Sequence, residues 1–177
     1  MGSRAGDAVG RSGRGPGDVI LTTPAQRREL LQQIGSVAMV GASANPLRPS
    51  YTVFSYLRTQ SDYDVTPINP TVEQIDGVRA FPSLDAYARE RGIPDVVDVF
   101  RKPSVVLGVV REAIALGVPA IWFQYGVVHP EAIALADEAG ISVVVDRCLK
   151  VEHARFRGGL SMNGLNSGII TSRRPRH

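Results

Sequence analysis

Residues 41–49, Gly-Ala-Ser-Ala-Asn-Pro-Leu-Arg-Pro, have the composition of a loop that binds phosphate. They follow a short apolar run at 37–40, and Ser50 after them begins a segment whose apolar side chains recur at helical spacing. A loop of small residues between a strand and a helix leaves backbone N–H groups free, and the positive end of the helix dipole attracts anions. Arg48 adds a full positive charge to the same loop. The stretch therefore predicts a strand, a phosphate-binding loop and a helix in succession.

A second group of reactive side chains comprises Cys148, Lys150, Glu152 and His153. A helix beginning near residue 147 would place Cys148 and Glu152 on one face, and a thiolate beside a base is a nucleophile. The alternative is that the thiol packs as a small apolar group while the charged residues pair along the helix. We favour this alternative because no oxyanion-binding group accompanies the thiol. The sequence therefore predicts no catalytic residue.

The histidine and cysteine content excludes two kinds of site. The three histidines and the single cysteine are dispersed without metal-ligand spacing, so no metal site is predicted. His129, before Pro130, is interpreted as the beginning of a helix. One cysteine also excludes an internal disulfide framework and fits a reducing compartment, so we expect a cytoplasmic protein.

The charge distribution disfavours nucleic acid as a partner. The net charge is +3, but residues 1–17 carry +2 and residues 171–177 carry +3, which leaves −2 on the rest of the chain. A basic balance that comes from the ends of the chain is weak support for nucleic-acid binding. A membrane is not predicted as a partner either, because no apolar run approaches the roughly 20 residues that a membrane helix needs.

Strand and helix patterns alternate along the chain. Apolar strands are predicted at 37–40, 64–69, 95–100, 120–125 and 141–145, with a short strand near 78. Helices are predicted to begin at Thr23, Ser50, Ser83, Ser104 and His129, with a final helix at 146–156. No two-residue hairpin turn is predicted. The alternation is typical of an α/β fold, a Rossmann-like parallel sheet with helices on both faces in a single domain.

The length of 177 residues suits one domain with a substantial core. Residues 1–17 are rich in Gly, Arg and Ser, so we expect a disordered N-terminal tail. Residues 158–177 lack periodicity and are predicted to be a flexible C-terminal segment. The folded domain is therefore expected at 18–157.

Ligands of open parallel α/β sheets bind outside the carboxyl ends of the strands, near the point where the strand order reverses. This rule gives a candidate site from the predicted strand ends alone. It comprises Gly41, Ala42 and Ser43, Asn69 and Pro70, Phe100, Arg101 and Lys102, Gln124, Tyr125 and Gly126, and residues 146–148.

The glycine pattern of dinucleotide-binding sites is largely missing. That pattern, G-x-G-x-x-G, retains only Gly41, because Ser43 and Pro46 stand at the second and third glycines. The expected acidic residue at the end of the second strand is replaced by Asn69. Arg101 and Lys102 join Arg48 as cations beside the site. NAD is disfavoured, and an adenine nucleotide with an additional phosphate fits better, a requirement that NADP also meets.

Several motifs together resemble a known family. They are V-A-M-V-G-A-S (37–43), N-P-L-R-P-S-Y (45–51), P-I-N-P (67–70), D-V-V-D-V-F-R-K-P (95–103), W-F-Q-Y-G (122–126) and D-R-C-L-K-V-E-H (146–153). Their order and spacing resemble the CoA-binding domain family, small bacterial and archaeal proteins similar to the N-terminal domain of the succinyl-CoA synthetase α subunit. The resemblance extends over residues 20–157 and implies a Rossmann-like fold that binds coenzyme A at its strand ends.

The resemblance also implies roles for the strand-end residues. Gly41, Ala42 and Ser43 would approach the pyrophosphate, and Arg48 would neutralise phosphate. Asn69 and Pro70, with Phe100, Arg101, Lys102 and Pro103, would flank the adenosine. Gln124, Tyr125 and Gly126 would line the path of the pantetheine.

Synthetase activity is not implied, because the phosphorylated histidine of that enzyme lies in a second domain and its nucleotide site in another subunit. We therefore expect a stand-alone binding or regulatory module for CoA or an acyl-CoA, with a protein partner or a second copy of the chain as further binding partners. Two alternatives stay open. One is a small enzyme that acts on a CoA thioester through Cys148, and the other is a sensor that binds a nicotinamide dinucleotide, NAD or NADP.

Overall fold

The structure is a computed structural model, and it describes residues 20–157. Its strands are β1 (Ser36–Val40), β2 (Asp64–Ile68), β3 (Gln74–Ile75), β4 (Val78–Arg79), β5 (Val96–Val99), β6 (Ala120–Phe123) and β7 (Ser142–Val144). Its helices are α1 (Pro24–Gln33), α2 (Pro49–Gln60), α3 (Leu84–Arg91), α4 (Pro103–Leu116), α5 (Pro130–Glu138) and α6 (Leu149–Arg157). The predicted segments 1–17 and 158–177 lie outside the described residues.

Five strands form one parallel sheet in the order β2-β1-β5-β6-β7. The chain first passes from β1 outward to β2, then returns to the other side of β1 and continues from β5 to β7. The strand order therefore reverses between β1 and β5. The predicted single-domain α/β fold with a Rossmann-like parallel sheet is confirmed, and its reversal point is where such sheets bind ligands.

Both faces of the sheet are covered because its central strands are apolar on both sides. In β1, Val37 and Met39 face one core, and Ala38 and Val40 face the other. The first core also contains residues of α1, α2 and α6, including the fully buried Phe54, and the second contains residues of α3, α4 and α5. Burial of a large apolar side chain contributes about 1.5–3 kcal/mol, so the packing of both faces fixes the strand ends.

Three predicted helix beginnings are confirmed by hydrogen bonds from the first helical turn. The amide of Gln26 donates to Thr23 Oγ1 at 3.2 Å, and the amide of Ala86 donates to Ser83 Oγ at 3.0 Å. The amide of Ala132 donates to His129 Nδ1 at 3.2 Å. His129 is therefore a structural cap.

The predicted beginnings at Ser50 and Ser104 are wrong. Helix α2 begins at Pro49 with Arg48 as its N-cap, and α4 begins at Pro103 with Lys102 as its N-cap. Proline favours the first helical position because its φ is already helical, and it holds the preceding residue in an extended conformation. Arg48 and Lys102 therefore lie at the beginnings of helices.

The prediction that no two-residue hairpin turn occurs is also wrong. Strands β3 and β4 pair antiparallel around Asp76 and Gly77, whose φ angles are +48° and +78°. An Asp-Gly pair with two positive φ angles is typical of a type I′ turn, a signal that is present in the sequence. The hairpin leads back to Phe81, which bridges to Ile68 at the end of β2. Within residues 20–157, no helix combines the length and the apolar character needed to span a membrane.

Candidate functional site

Gly41 lies where the strand order reverses. Its φ is +87°, and a Cβ atom there would approach the carbonyl oxygen of Phe100 to 3.0 Å and Cδ of Arg101 to 3.1 Å. The amide of Gly41 donates to the carbonyl oxygen of Ile68, and the amide of Phe100 donates to that of Val40, both at 2.9 Å. Glycine is required at this position both by its backbone conformation and by the close approach of the next loop.

The loop after Gly41 is held by its own side chains. Ala42 is buried, and the amide of Ser43 donates to Ser50 Oγ at 3.2 Å. Ser43 Oγ accepts from the amide of Asn45 at 3.1 Å, and Asn45 Oδ1 accepts from the amide of Leu47 at 3.0 Å. Ser50 is therefore a buried residue of the first helical turn that fixes the loop, a role that the sequence analysis did not assign.

Asn69 connects the end of β2 to this loop. Its Nδ2 donates to the carbonyl oxygen of Ala42 at 2.7 Å. Its Oδ1 accepts from the amide of Thr71 at 2.9 Å and from the Thr71 hydroxyl at 2.8 Å. Both ends of the amide side chain therefore have protein partners, and Asn69 fixes the shape of the loop from the side.

A cavity of about 600 Å³ opens beside Asn69 and Pro70. The β3–β4 hairpin forms its other wall through Gln74, Gly77 and Arg79. Sequence reasoning missed this wall because it missed the hairpin. The volume lies within the roughly 300–1,000 Å³ of typical ligand pockets.

Three cations surround the reversal point. Arg48 is exposed at the beginning of α2, while Arg101 and Lys102 follow β5, with Arg101 half-buried against Gly41. Pro103 is exposed as the first residue of α4. None of the three cations forms an ion pair with another residue of the described part of the chain. Their charge is therefore available to an anion, and it raises the local concentration of anionic ligands.

Gln124 follows β6, but its side chain points into the protein. It is 3% exposed, and its Nε2 donates to Asp98 Oδ1 at 2.8 Å. Asp98 is fully buried in β5, and burial raises the pKa of its carboxyl from 3.8 to about 8, an effect that the Gln124 hydrogen bond partly offsets. Asp98 Oδ2 has no hydrogen-bond partner within residues 20–157. The sequence analysis placed Asp98 in a strand and assigned it no other role.

The two residues after Gln124 face the solvent. Tyr125 is 59% exposed, and Gly126 has a φ of +74°. The amide of Gly126 donates to Asp146 Oδ1 at 2.9 Å, and Trp122 Nε1 donates to the carbonyl oxygen of Arg147 at 2.8 Å. The loop before α6 is thereby attached to the end of β6.

The predicted group of Cys148, Glu152 and His153 is not assembled as a nucleophile with its base. Helix α6 begins at Leu149, so Cys148 precedes it, and the carbonyl oxygen of Cys148 accepts from the backbone amide of Glu152 at 3.0 Å. The Glu152 carboxylate instead pairs with Arg27 at 2.8 Å, with both side chains buried. The Glu152 carboxylate therefore holds α6 against α1 through Arg27.

His153 and the Cys148 thiol also lack the electrostatics of an activated pair. His153 Nδ1 and Tyr56 Oη are 3.1 Å apart, and the His153 ring packs edge-on against Tyr56 and Tyr63. Burial lowers the pKa of His153 and raises the pKa of the Cys148 thiol. In the described residues, no group of three or more His, Cys, Asp or Glu side chains could hold a metal ion.

The chain is similar to known proteins over most of its length. The sequence model of the family described as CoA binding domain matches residues 35–154. The uncharacterized protein YneT of Bacillus subtilis is 36% identical over 130 residues, which cover 73% of this chain and 93% of YneT.

Two solved structures share the same fold at similar levels of identity. A hypothetical protein from Pyrococcus horikoshii is 38% identical with a TM-score of 0.72, over 83% of this chain and 99% of that chain. The Thermus thermophilus protein called cell-free ID.343 is 39% identical with a TM-score of 0.70, over 76% of this chain and 99% of that chain.

Proposed function

The chain belongs to the CoA-binding domain family, and from this premise we propose that it binds coenzyme A or an acyl-CoA as a binding or regulatory module. The proposed site is the crevice between the carboxyl ends of β1 and β5. The observation that carries the proposal is the close approach of Phe100 and Arg101 to Gly41 at the reversal point. It brings together a glycine loop and cations that form no ion pair with any described residue.

The charge of the crevice supports a ligand with several phosphates. CoA has a pyrophosphate and a 3′-phosphate, and Arg48, Arg101 and Lys102 lie on the two loops that would border the proposed crevice. We assign Arg48 to the pyrophosphate beside Gly41, Ala42 and Ser43, and Arg101 and Lys102 to the adenosine end. Charge-assisted hydrogen bonds contribute about 1.5–3 kcal/mol each, so two or three of them account for a large share of the affinity.

The positions of the strand ends also suggest where the adenosine and the pantetheine of CoA would lie. The cavity beside Asn69 and Pro70 is large enough for an adenosine, whose other side Phe100 and Pro103 would flank. The pantetheine would leave the pyrophosphate in the opposite direction, past Gln124, Tyr125 and Gly126. In this assignment, Asn69 acts mainly by holding the carbonyl group of Ala42, since its side-chain amide already has partners.

NADP is a second candidate ligand, because its ribose phosphate also suits Arg101 and Lys102. An enzyme acting through Cys148 has less support, since Glu152 and His153 have other partners and the thiol pKa is raised. Mass spectrometry of the small molecules that the purified protein releases on denaturation tests the ligand class directly. Release of CoA or an acyl-CoA is the expected result, and release of NADP would overturn the assignment.

A further inference from the structure

Asp98 has a buried carboxyl group to which the proposed function assigns no role. It is fully buried near the end of β5, with Oδ1 bonded to Gln124 Nε2 at 2.8 Å and Oδ2 unpartnered among the described residues. A buried carboxyl oxygen without a partner is costly, and such groups are retained mainly where a ligand or a reaction uses them. Asp98 therefore indicates that an additional polar group reaches this place.

Cys148 packs on the same face of the sheet as this carboxyl group. Asp98 and Trp122 are partners in the register of β5 with β6, Trp122 Nε1 donates to the carbonyl oxygen of Arg147, and Trp122 and Cys148 belong to one buried cluster. Burial raises the pKa of the Cys148 thiol more than hydrogen bonds from the backbone N–H groups of Val151 and Lys150 lower it. Cys148 ends the loop that Trp122 Nε1 and the amide of Gly126 attach to the end of β6. Asp98, Gln124 and Cys148, which we call the thiol-end cluster, therefore lie together at the carboxyl ends of β5, β6 and β7.

The distance from the end of β1 to the thiol-end cluster is one that an extended pantetheine can span. Strand β7 is three strands from β1, which is about 14 Å at the usual spacing of 4.7–4.9 Å. Pantetheine has the backbone length of roughly four peptide residues, about 14 Å when extended. If the pyrophosphate lies at Gly41, as the proposed function requires, a chain that crosses β5 and β6 ends with its sulphur at Cys148.

We propose that the thiol-end cluster receives the sulphur of CoA and that Cys148 forms a mixed disulfide with it by exchange with the disulfide of CoA. This inference rests on the proposed function. The Cys148 thiol loses its proton to solvent, and the thiolate attacks one sulphur of the CoA disulfide. The S–S bond of that disulfide breaks, the bond from Cys148 to one CoA forms, and the other CoA leaves as a thiolate that takes a proton from solvent. One disulfide is consumed and one is formed, so no other oxidant is needed.

The environment of Cys148 makes this exchange selective. Cys148 is only 9% exposed, and burial raises the pKa of its thiol, which disfavours the reactive thiolate. Disulfides that do not bind the protein should therefore react slowly. A disulfide held by its nucleotide end places its sulphur at Cys148 and gains from the high effective concentration of a bound reactant.

The experiment compares two disulfides on the full chain at pH 8. Reduced protein is incubated with CoA disulfide or with glutathione disulfide at equal concentration, and the intact mass is followed with time. We expect one CoA adduct per chain, formed at least tenfold faster than the glutathione adduct, and none on Cys148→Ser. Since the chain has one cysteine, the adduct has only one place to form. No CoA adduct, or equal rates for the two disulfides, would overturn the inference.

A competitor makes the result independent of whether Cys148→Ser folds. Adenosine 3′,5′-bisphosphate has the nucleotide phosphates of CoA but no sulphur, so it should slow labelling by CoA disulfide and leave labelling by glutathione disulfide unchanged. Unchanged CoA labelling would contradict the inference. Calorimetry with reduced CoA separates the two proposals: binding without an adduct overturns this inference alone, and no binding overturns the proposed function.

Discussion

Gly41 and Phe100 approach each other so closely that a Cβ atom on Gly41 would lie 3.0 Å from the Phe100 carbonyl oxygen. The two residues directly follow β1 and β5, the neighbouring strands between which the strand order reverses. The close approach draws the loop after β5 against the loop after β1. Arg101 and the residues after Gly41 thereby lie side by side at the reversal point, which is the basis of the proposed ligand site.

The first prediction is that Gly41→Ala destabilises the protein more than a positive φ alone explains. Gly140 is the matched control, since its φ is +74° and a Cβ atom there would meet nothing within 4 Å. We expect Gly140→Ala to cost about 1 kcal/mol through backbone strain, and Gly41→Ala to cost at least about 2 kcal/mol because crowding adds to the strain. Urea denaturation measures both, and equal losses would show that the contact with Phe100 is unimportant.

The second prediction concerns the buried pair of Arg27 and Glu152, whose side chains are 2.8 Å apart. Among the described residues, Arg27→Met leaves the buried Glu152 carboxylate with Arg155, at 3.5 Å, as its remaining ion-pair partner. We therefore expect a loss of about 3–5 kcal/mol. Arg89, which pairs with Asp85 on the surface, is the control, and Arg89→Ala should cost under about 1 kcal/mol.

Adding Glu152→Gln to Arg27→Met should restore part of the loss, because the unpaired charge is then removed. Denaturation of the three variants measures this coupling. If the double variant is as unstable as Arg27→Met, the loss comes from packing of the Arg27 side chain and not from its charge.

The third prediction is a pH dependence due to Asp98. Burial raises the pKa of its carboxyl from 3.8 to about 8 in the folded protein. Between these values the unfolded chain binds fewer protons than the folded protein, so the contribution of Asp98 to stability falls as the pH rises from about 4 to about 8. Asp98→Asn should therefore gain stability relative to the original protein over this range. Free energies of unfolding at several pH values test this, and parallel curves for the two proteins would refute it.

The strands of the sheet are predictable from the sequence because strands that are buried on both faces consist of continuous runs of apolar residues. Runs such as 37–40 and 96–99 are almost wholly apolar, and proline or a capping side chain marks the beginning of most helices. The hairpin at Asp76 and Gly77 is marked equally clearly, but the surrounding strands are so short that the pattern resembles a single turn. The hydroxyl groups of Ser50 and Ser104 suggest caps, whereas the prolines before them decide where the helices begin.

The pairing of buried polar side chains could not be predicted from the sequence. Arg27 and Glu152 are 125 residues apart in the chain, and no local pattern indicates their pairing. Gln124 was predicted from its place near the end of the strand expected at 120–125, but the direction of its amide toward Asp98 depends on the register of β5 with β6. The sequence therefore located the strand ends that make up the candidate site, while the contacts that shape the site needed the structure.

The most direct test of the account is calorimetry with CoA, dephospho-CoA and NAD on the same protein. The 3′-phosphate of CoA should gain at least one charge-assisted hydrogen bond from Arg101 or Lys102, which is worth about 1.5–3 kcal/mol, or roughly ten- to a hundredfold in affinity. CoA should therefore bind more tightly than dephospho-CoA, and both more tightly than NAD. Replacing Arg101 and Lys102 with alanine should reduce the difference between the first two ligands and leave the fold intact. Equal binding of CoA and dephospho-CoA would contradict the role of these cations, and tighter binding of NAD would contradict the proposed function as a whole.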